Sequence, residues 1–160
     1  MPREYVYLLG LYLGDGNLTY NGRSYQLRLT LDSRYPTIIA AAASAVRALV
    51  PHGRAHVRPR GGADIVEAGW IDWPLLFPQH GRGPKHSRAI VLAAWQGALV
   101  DKHPRDFIRG LIHSDGCRVV NRFSVDLSSG RREYAYPRYF FTNRSSDVRG
   151  LFIDYCERLG

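Results

Sequence analysis

The feature that most constrains this chain is a short segment that occurs twice, about one hundred residues apart. The first copy, from Leu8 to Gly16, is LLGLYLGDG, and the second, from Ile108 to Gly116, is IRGLIHSDG. Both copies combine bulky apolar residues with small residues, and both end in Asp-Gly. A segment that is used twice predicts two related halves built around it.

Each copy is predicted to form a helix that ends at a carboxylate. The apolar residues of the first copy cover more than one helical face, which is typical of a buried helix; they are Tyr5, Leu8, Leu9, Leu11, Tyr12 and Leu13. We expect Gly16 and Gly116 to adopt the left-handed conformation that ends many helices. Asp15 and Asp115 then lie in the last turn, where the helix dipole disfavours a carboxylate by roughly 0.3–1 kcal/mol.

Small residues predict that the two helices pack closely against each other. They lie four positions apart and share one helical side: Gly10 and Gly14 in the first copy, Gly110 and Ser114 in the second. Packing side by side would bring Asp15 and Asp115 together, and a divalent cation between them would remove their repulsion. Hard oxygen ligands of this kind suit Mg²⁺. In a single copy Asp-Gly is more often a plain turn, but the repeat favours a paired site.

Both segments resemble the LAGLIDADG motif of homing endonucleases, and the second matches it more fully through Gly110-Leu111-Ile112 and Ser114-Asp115-Gly116. The resemblance implies an α+β fold. Two pseudo-symmetric αββα-type halves would pack through the motif helices, and antiparallel sheets would form a concave DNA-binding saddle. Asp15 and Asp115 would be the catalytic metal ligands, and Gly14 and Ser114 would also belong to the metal site. The motif position that is often a first Asp is Leu13 here and His113 in the second copy; it is not the essential ligand.

The function implied by this resemblance is a site-specific, metal-dependent double-strand break in DNA. The expected cofactor is Mg²⁺, with Mn²⁺ able to substitute and Ca²⁺ supporting binding without cleavage. Two motifs in one chain imply a monomer that recognises a long asymmetric site.

A basic, glycine-rich loop at residues 79–86 supplies a further candidate, Lys85. It resembles the lysine that follows the second hairpin of a subdomain in this family and stabilises developing charge or positions water, so we assign it a catalytic role. The alternative is a loop lysine that only touches phosphate. His80 and His86 lack further His or Cys partners at zinc-ligand spacing, which argues against a zinc site.

Charge favours a nucleic-acid partner. Lys and Arg number 22 against 14 Asp and Glu, which gives a net charge of +8. Arginine predominates, and its planar group suits phosphate and guanine. The alternative is charge that only keeps the protein soluble. Cys117 and Cys156 suggest no disulfide framework, and no apolar stretch is long enough to cross a membrane. We therefore expect a soluble intracellular protein, in the cytoplasm, the nucleoid or an organelle.

The first half, residues 1–100, contains two predicted hairpins. The first spans residues 17–32 around an Asn21-Gly22 turn, and the second spans residues 54–69. We predict helices at 36–50 and 90–100, with a core-capping helix or turn at 70–77. Polar residues alternate with apolar ones along the strands, and we assign them to DNA contacts; they are Arg23, Gln26, Arg28, Thr30, Arg54, His56, Arg58 and Arg60. The alternative is a solvated face.

The second half, residues 107–160, follows a linker predicted at 101–106. We predict strands at 118–127 and 132–143 and a helix from Ser145. Arg118, Arg122 and Arg138 are further candidates for DNA contacts. The sequence then ends without a counterpart of the first half's second hairpin. This shortening leaves open a second catalytic lysine, cleavage itself, and a dimerisation that would supply the missing strands. A nucleic-acid-binding regulator or splicing helper without cleavage activity is the alternative function.

Overall fold

The two repeated segments form the carboxyl-terminal ends of two helices that pack against each other in the computed structural model, which describes residues 2–160. The helices are α1 (Pro2–Asp15), α2 (Pro36–Leu49), α3 (Trp73–Leu76), α4 (Ala94–Lys102), α5 (Pro104–Asp115) and α6 (Ser146–Leu159). The strands are β1 (Gly16–Tyr20), β2 (Tyr25–Asp32), β3 (His56–Arg60), β4 (Ala63–Trp70), β5 (Gly116–Leu127) and β6 (Gly130–Phe141). The predicted α+β class is confirmed.

Helix α1 runs through the centre of the core, as its broad apolar surface predicted. All residues from Tyr5 to Leu13 are buried. The helix packs against α5 along its length and also touches α2, α4 and the first sheet. Such a helix has no solvent-facing side, which explains why its sequence lacks the polar stripe of a surface helix.

The predicted conformation of the two motif glycines is wrong. Neither Gly16 nor Gly116 has a positive φ, and Gly116 is extended, with φ −84° and ψ 150°. Each glycine instead begins a strand that folds back over the last turn of its own helix. A β-carbon at Gly16 would lie 2.6 Å from the Cα of Tyr12, and one at Gly116 would lie 2.8 Å from the Cα of Ile112. Glycine is needed there for close approach, not for a left-handed turn.

The first sheet is antiparallel, with strand order β1-β2-β4-β3. Leu27, Leu29 and Leu31 of β2 are buried on the face that meets the helices. Arg28 and Thr30 are exposed on the other face, as the alternation predicted. The turn between β1 and β2 is longer than predicted and spans residues 21–24, because the Asn21 carboxamide oxygen accepts the backbone N–H groups of residues 23 and 24.

The second half forms a separate two-stranded ribbon, β5–β6, followed by α6. Ser145 caps α6 by accepting the N–H of Val148 at 3.4 Å, as predicted. Among the described residues no strands in this half correspond to β3 and β4. Pro137 in β6 pairs with Val120, seven pairs from the Leu127–Gly130 pair that closes the turn. Hydrogen-bonded and non-hydrogen-bonded pairs alternate along the ribbon, starting with the hydrogen-bonded pair at the turn. The Pro137–Val120 pair is therefore non-hydrogen-bonded, and the Pro137 nitrogen faces the free edge of the ribbon.

The segment predicted as a linker at 101–106 contains the end of α4 and the beginning of α5. His103 lies between the two helices, and its backbone N–H still bonds to the carbonyl oxygen of Leu99 at 3.1 Å. The helix predicted at 90–100 begins later, at Ala94, and continues to Lys102. No helix in residues 2–160 is long and apolar enough to span a membrane.

Candidate functional site

The motif helices approach each other backbone to backbone at their small residues. A β-carbon at Gly10 would lie 2.5 Å from the carbonyl oxygen of Phe107 and 2.8 Å from the backbone nitrogen of Leu111. One at Gly110 would lie 3.0 Å from the Cα of Gly10. One at Gly14 would overlap the side chain of Ser114. The four residues predicted to form this helix contact therefore lie in it, and no larger side chain would fit there.

This close packing brings the two motif carboxylates together at the ends of the helices. The Asp115 carboxylate lies directly against Gly14, the neighbour of Asp15. Burial raises the pKa of Asp15 to about 7, and the charge of Asp115 contributes to the shift. Burial also raises the pKa of Asp115, although a 2.8 Å hydrogen bond from the Asn143 side chain opposes this. Two partly buried carboxylates therefore share one site, and burial disfavours the charged form of both.

Lys85 reaches this site from the segment between α3 and α4. Its ammonium group donates to the carbonyl oxygens of Tyr12 at 2.5 Å and Gly14 at 2.6 Å, and it lies 5.1 Å from the centre of the Tyr12 ring. Burial lowers the pKa of Lys85 to about 8, while the charges of Asp15 and Asp115 oppose this. The structure thus fixes one cation beside the two carboxylates, although these residues are distant in the sequence.

The loop that carries Lys85 is anchored by side-chain hydrogen bonds at its ends. Gln79 is buried and bonds to Gln96, which also donates to the Tyr5 hydroxyl at 2.7 Å. The Arg88 guanidinium closes the loop by donating to the carbonyl oxygens of Gln79 at 3.1 Å and Gly83 at 2.7 Å. These bonds hold the loop against α1 and restrict where Lys85 can lie.

The donor set fits a hard divalent cation. Two carboxylates converge, and burial together with the charge of Asp115 raises the pKa of Asp15 to about 7; a hard divalent cation would favour the charged form of both. The Gly14 carbonyl oxygen already accepts from Lys85, and the Ser114 hydroxyl donates to the Leu111 carbonyl oxygen at 2.9 Å. Each of these two oxygens keeps a free lone pair, so Gly14 and Ser114 remain candidate ligands beside Asp15 and Asp115, the residues that would hold the metal. Residues 2–160 contain no cluster of three or more His, Cys, Asp or Glu side chains suited to a metal.

Two cavities flank the pair of carboxylates, and equivalent positions of the two motifs bound them. The smaller, of about 270 Å³, is bounded by Leu13, Gly14, Asp115, Lys85 and Asn143. The larger, of about 510 Å³, is bounded by His113, Ser114, Asp15, Arg118 and Tyr139. Leu13 and Gly14 in the first motif occupy the same positions as His113 and Ser114 in the second. Each cavity therefore combines the end of one motif helix with the aspartate of the other.

His113 contributes to the packing between the halves. Its Nδ1 atom lies 2.9 Å from the Tyr7 hydroxyl, and the two rings meet edge to face at 5.6 Å. Burial lowers the pKa of His113, and the nearby Arg109 adds to the effect. A neutral imidazole bonded to a buried tyrosine can occupy this motif position without a metal.

The candidate DNA-contact residues lie on both halves, but not on a single face. All are exposed except Gln26, which is half-buried and donates to the Ser24 hydroxyl at 3.1 Å; the exposed ones are Arg23, Arg28, Thr30, Arg54, His56, Arg58, Arg60, Arg118, Arg122 and Arg138. Arg54 precedes β3 instead of alternating within it. The register of the ribbon places Arg118 and Arg122 on one face and Arg138 on the opposite face, so these three arginines cannot meet one ligand surface together.

Two polar residues near these groups were not found from the sequence. Glu67 in β4 lies between two candidate arginines, with its carboxylate 2.7 Å from Arg58 and 3.4 Å from Arg28. Asn143, two residues after β6, bonds to Asp115. The alternation of β4 does place Glu67 on the polar face, whereas nothing local predicts the partner of Asn143.

This architecture is similar to that of a LAGLIDADG homing endonuclease of known structure. A solved mutant of I-SmaMI, a protein of that family, is similar to this chain with a TM-score of 0.54. The match covers 94% of this chain and 71% of the other, at 10% sequence identity. No family model and no curated protein matches the sequence. The predicted LAGLIDADG fold is thus confirmed, at an identity that defines the fold alone.

Proposed function

We propose that this protein is a site-specific endonuclease that makes a metal-dependent double-strand break at a long asymmetric site in DNA. The observation that carries the proposal is the convergence of Asp15, Asp115 and Lys85 at the ends of the paired motif helices. A helix contact alone would need no carboxylates at this point, where burial and the helix dipoles both disfavour them. The net charge of +8 further supports a polyanionic substrate.

In this proposal Asp15 and Asp115 hold Mg²⁺, which when bound would polarise the scissile phosphates, activate water and stabilise the leaving oxygen. Lys85 directs a fixed positive charge at a phosphate oxygen as its charge develops. The carbonyl oxygens of Tyr12 and Gly14 hold the ammonium group in place before substrate binds. The protein therefore provides its electrostatic groups in advance, with little rearrangement at the moment of reaction.

Recognition is assigned to the outer face of the first sheet. Arg28 and His56 pair with Glu67 from opposite sides, so three neighbouring strands place these side chains in one row. Arginine suits guanine edges and the carboxamide of Gln26 suits adenine, while further arginines fix the register through phosphates. Glu67 orients Arg28 and Arg58 before DNA arrives, which reduces the ordering that binding requires.

Binding without cleavage remains the second candidate function, and the two-stranded second sheet favours it. The two-stranded sheet of the described residues offers less surface for DNA than the four-stranded sheet of the first half does. The two candidates differ in one measurable respect, since only the nuclease breaks bound DNA when Mg²⁺ replaces Ca²⁺.

The test begins with randomised duplex DNA, from which bound sequences are selected in Ca²⁺ and then incubated in Mg²⁺. We expect double-strand breaks in Mg²⁺ and none in Ca²⁺. Asp15→Asn and Asp115→Asn should each lower the cutting rate by roughly 100-fold or more, whereas the exposed control Asp154→Asn should leave it unchanged. Selected DNA that stays intact in Mg²⁺ would instead support the binding protein. Cutting that survives both motif substitutions would refute the site assignment.

A further inference from the structure

The two faces of the β5–β6 ribbon differ in composition. Residues that pair directly across antiparallel strands point to the same side, so the odd-numbered residues of β5 and the even-numbered residues of β6 share one face. Phe123, Tyr134 and Tyr136 lie at the centre of this face, which we call the aromatic face. Their ring centroids are 5.4, 5.9 and 6.1 Å apart, and Phe123 and Tyr136 are 43% and 50% exposed. Closely spaced aromatic rings are therefore open to solvent here.

Charge is also sorted between the two faces. Arg132 and Arg138 are the only charged side chains among the described residues of the aromatic face. The acidic residues of the two strands, Asp126 and Glu133, both lie on the opposite face. The aromatic face is therefore positive on both sides of its rings, which makes it complementary to a polyanion.

The aromatic face points away from the helix that packs on the ribbon. Phe141, on the opposite face, stacks on Phe152 of α6 with the ring centroids 4.2 Å apart. The contacts among the three central rings stabilise the ribbon, but they cover only part of each ring. Val119 and Val125, which lie beside the rings on the same face, are exposed as well. The rings are therefore available to a ligand.

We propose that the aromatic face binds single-stranded DNA. Unpaired bases stack on Phe123 and Tyr136, and Arg132 and Arg138 hold the phosphates. Flat rings match the flat surfaces of unpaired bases, whereas a duplex keeps these surfaces stacked and presents only base edges in its grooves. The two arginines match the charge and the geometry of phosphate groups. The choice of DNA over RNA rests on the nuclease function proposed above, but the stacking surface itself does not depend on that function.

Binding of a short fluorescein-labelled oligothymidylate in EDTA tests the site without cleavage. Tyr136→Leu removes a ring but keeps an apolar side chain, and it should weaken binding by roughly 5- to 150-fold, the effect of losing one base–aromatic stack. Tyr136→Phe keeps the ring and should bind nearly as tightly as the wild type. Neither variant should change the affinity for a duplex of the same length. Unchanged oligothymidylate binding by Tyr136→Leu, or an equal weakening of single-strand and duplex binding, would overturn the proposal.

Two neighbouring arginines on opposite faces provide a matched control for charge. Arg132 lies on the aromatic face, whereas Arg131 lies on the opposite face and bonds to the Ser124 hydroxyl at 2.7 Å. Arg132→Gln should reduce the steepness of the log–log salt dependence of oligothymidylate binding by about 0.7, the value for one phosphate on a single strand. Arg131→Gln should leave this slope unchanged. Equal effects of the two substitutions would refute the assignment to the aromatic face.

Two further results would assign the aromatic face to another partner. Oligodeoxyuridylate should displace the probe at least as well as oligouridylate, which differs from it only in the 2′-hydroxyl group; better displacement by oligouridylate would overturn the choice of DNA. A dimer in sedimentation that Tyr136→Leu dissociates, together with no oligothymidylate binding, would assign the face to a second copy of the protein.

Duplex cleavage in Mg²⁺ separates this proposal from the nuclease function, because the carboxylate site at Asp15 and Asp115 contains none of the ring residues. If oligothymidylate binds through the aromatic face but no duplex is cut, the single-strand site holds and the nuclease function fails. If duplexes are cut but Tyr136→Leu does not affect oligothymidylate binding, the nuclease function holds and the single-strand site fails.

Discussion

Adding one methyl group at Gly10 tests the close packing of the motif helices. Gly10→Ala places a β-carbon 2.5 Å from the carbonyl oxygen of Phe107, against about 3.4 Å for an ordinary contact. The three nearest atoms are all backbone atoms of α5, so no side chain can rotate to make room. The helices must separate by several tenths of an ångström, and the carboxylates at their ends must move with them.

The magnitude follows from two opposing effects. Overpacking a tight interior site costs typically about 1–3 kcal/mol. Alanine is favoured over glycine inside a helix by about 0.8–1.0 kcal/mol. We expect the overpacking to dominate and Gly10→Ala to lower the free energy of unfolding by about 1–2 kcal/mol. For a protein of this length the corresponding fall in Tm is about 2–8 °C.

Thermal unfolding of three variants provides the assay. Gly97 in α4 and Gly150 in α6 are also helical glycines, but a β-carbon at either would meet nothing within 4 Å. Gly97→Ala and Gly150→Ala should therefore raise Tm by about 2–4 °C, the gain expected from helix propensity alone. A rise in Tm for Gly10→Ala as well would show that the backbones are not in contact, and the argument for a shared carboxylate site would lose its basis.

Two further predictions concern charge. The pKa of the Asp15 carboxyl is about 4 in the unfolded chain and about 7 in the folded protein. Between these pH values the folded state holds one more proton than the unfolded state, so the free energy of unfolding falls as pH rises through this range. Each pH unit of this shift corresponds to about 1.4 kcal/mol. Because the carboxyl group is partly exposed, we expect Asp15→Asn to stabilise the protein by about 1–2 kcal/mol at pH 8 in EDTA and by much less at pH 4. Calorimetry at both pH values tests this, and equal effects at both would contradict it; added Mg²⁺ should raise the Tm of the wild type more than that of the variant. Glu67→Gln should release Arg28 and Arg58, which should weaken sequence preference and steepen the log–log salt dependence of DNA binding by up to about 0.9 for each released arginine. The exposed control Glu133→Gln should leave the sequence preference intact. An unchanged slope for Glu67→Gln would show that the two arginines do not reach phosphates.

Much of the fold was predictable because it rests on short-range patterns. The repeated Asp-Gly ends of α1 and α5 and the alternation of Leu27, Leu29 and Leu31 are local properties of the sequence. They correctly predicted the two helix ends and the buried face of β2. The broad apolar surface of α1 likewise predicted its burial.

The details of the site depend on contacts between distant residues, which local patterns do not contain. Lys85 bonds to a carbonyl oxygen 71 positions earlier in the chain, and Asn143 bonds to a carboxylate 28 positions earlier. The error at Gly16 and Gly116 has a similar cause. A glycine that is needed for close approach to a neighbouring turn has the same sequence signature as one needed for positive φ, and only the path of the following strand distinguishes the two.

Pro137 bears on how the second half behaves when several copies of the protein meet. A proline nitrogen cannot donate a hydrogen bond, so the outer edge of β6 is interrupted near its middle. A neighbouring copy could pair in register with only a few residues near the tip of the ribbon. Edge strands that are broken in this way are poor templates for intermolecular sheets. The β6 edge of the ribbon therefore resists intermolecular pairing, although aromatic side chains such as Tyr136 are exposed on that strand.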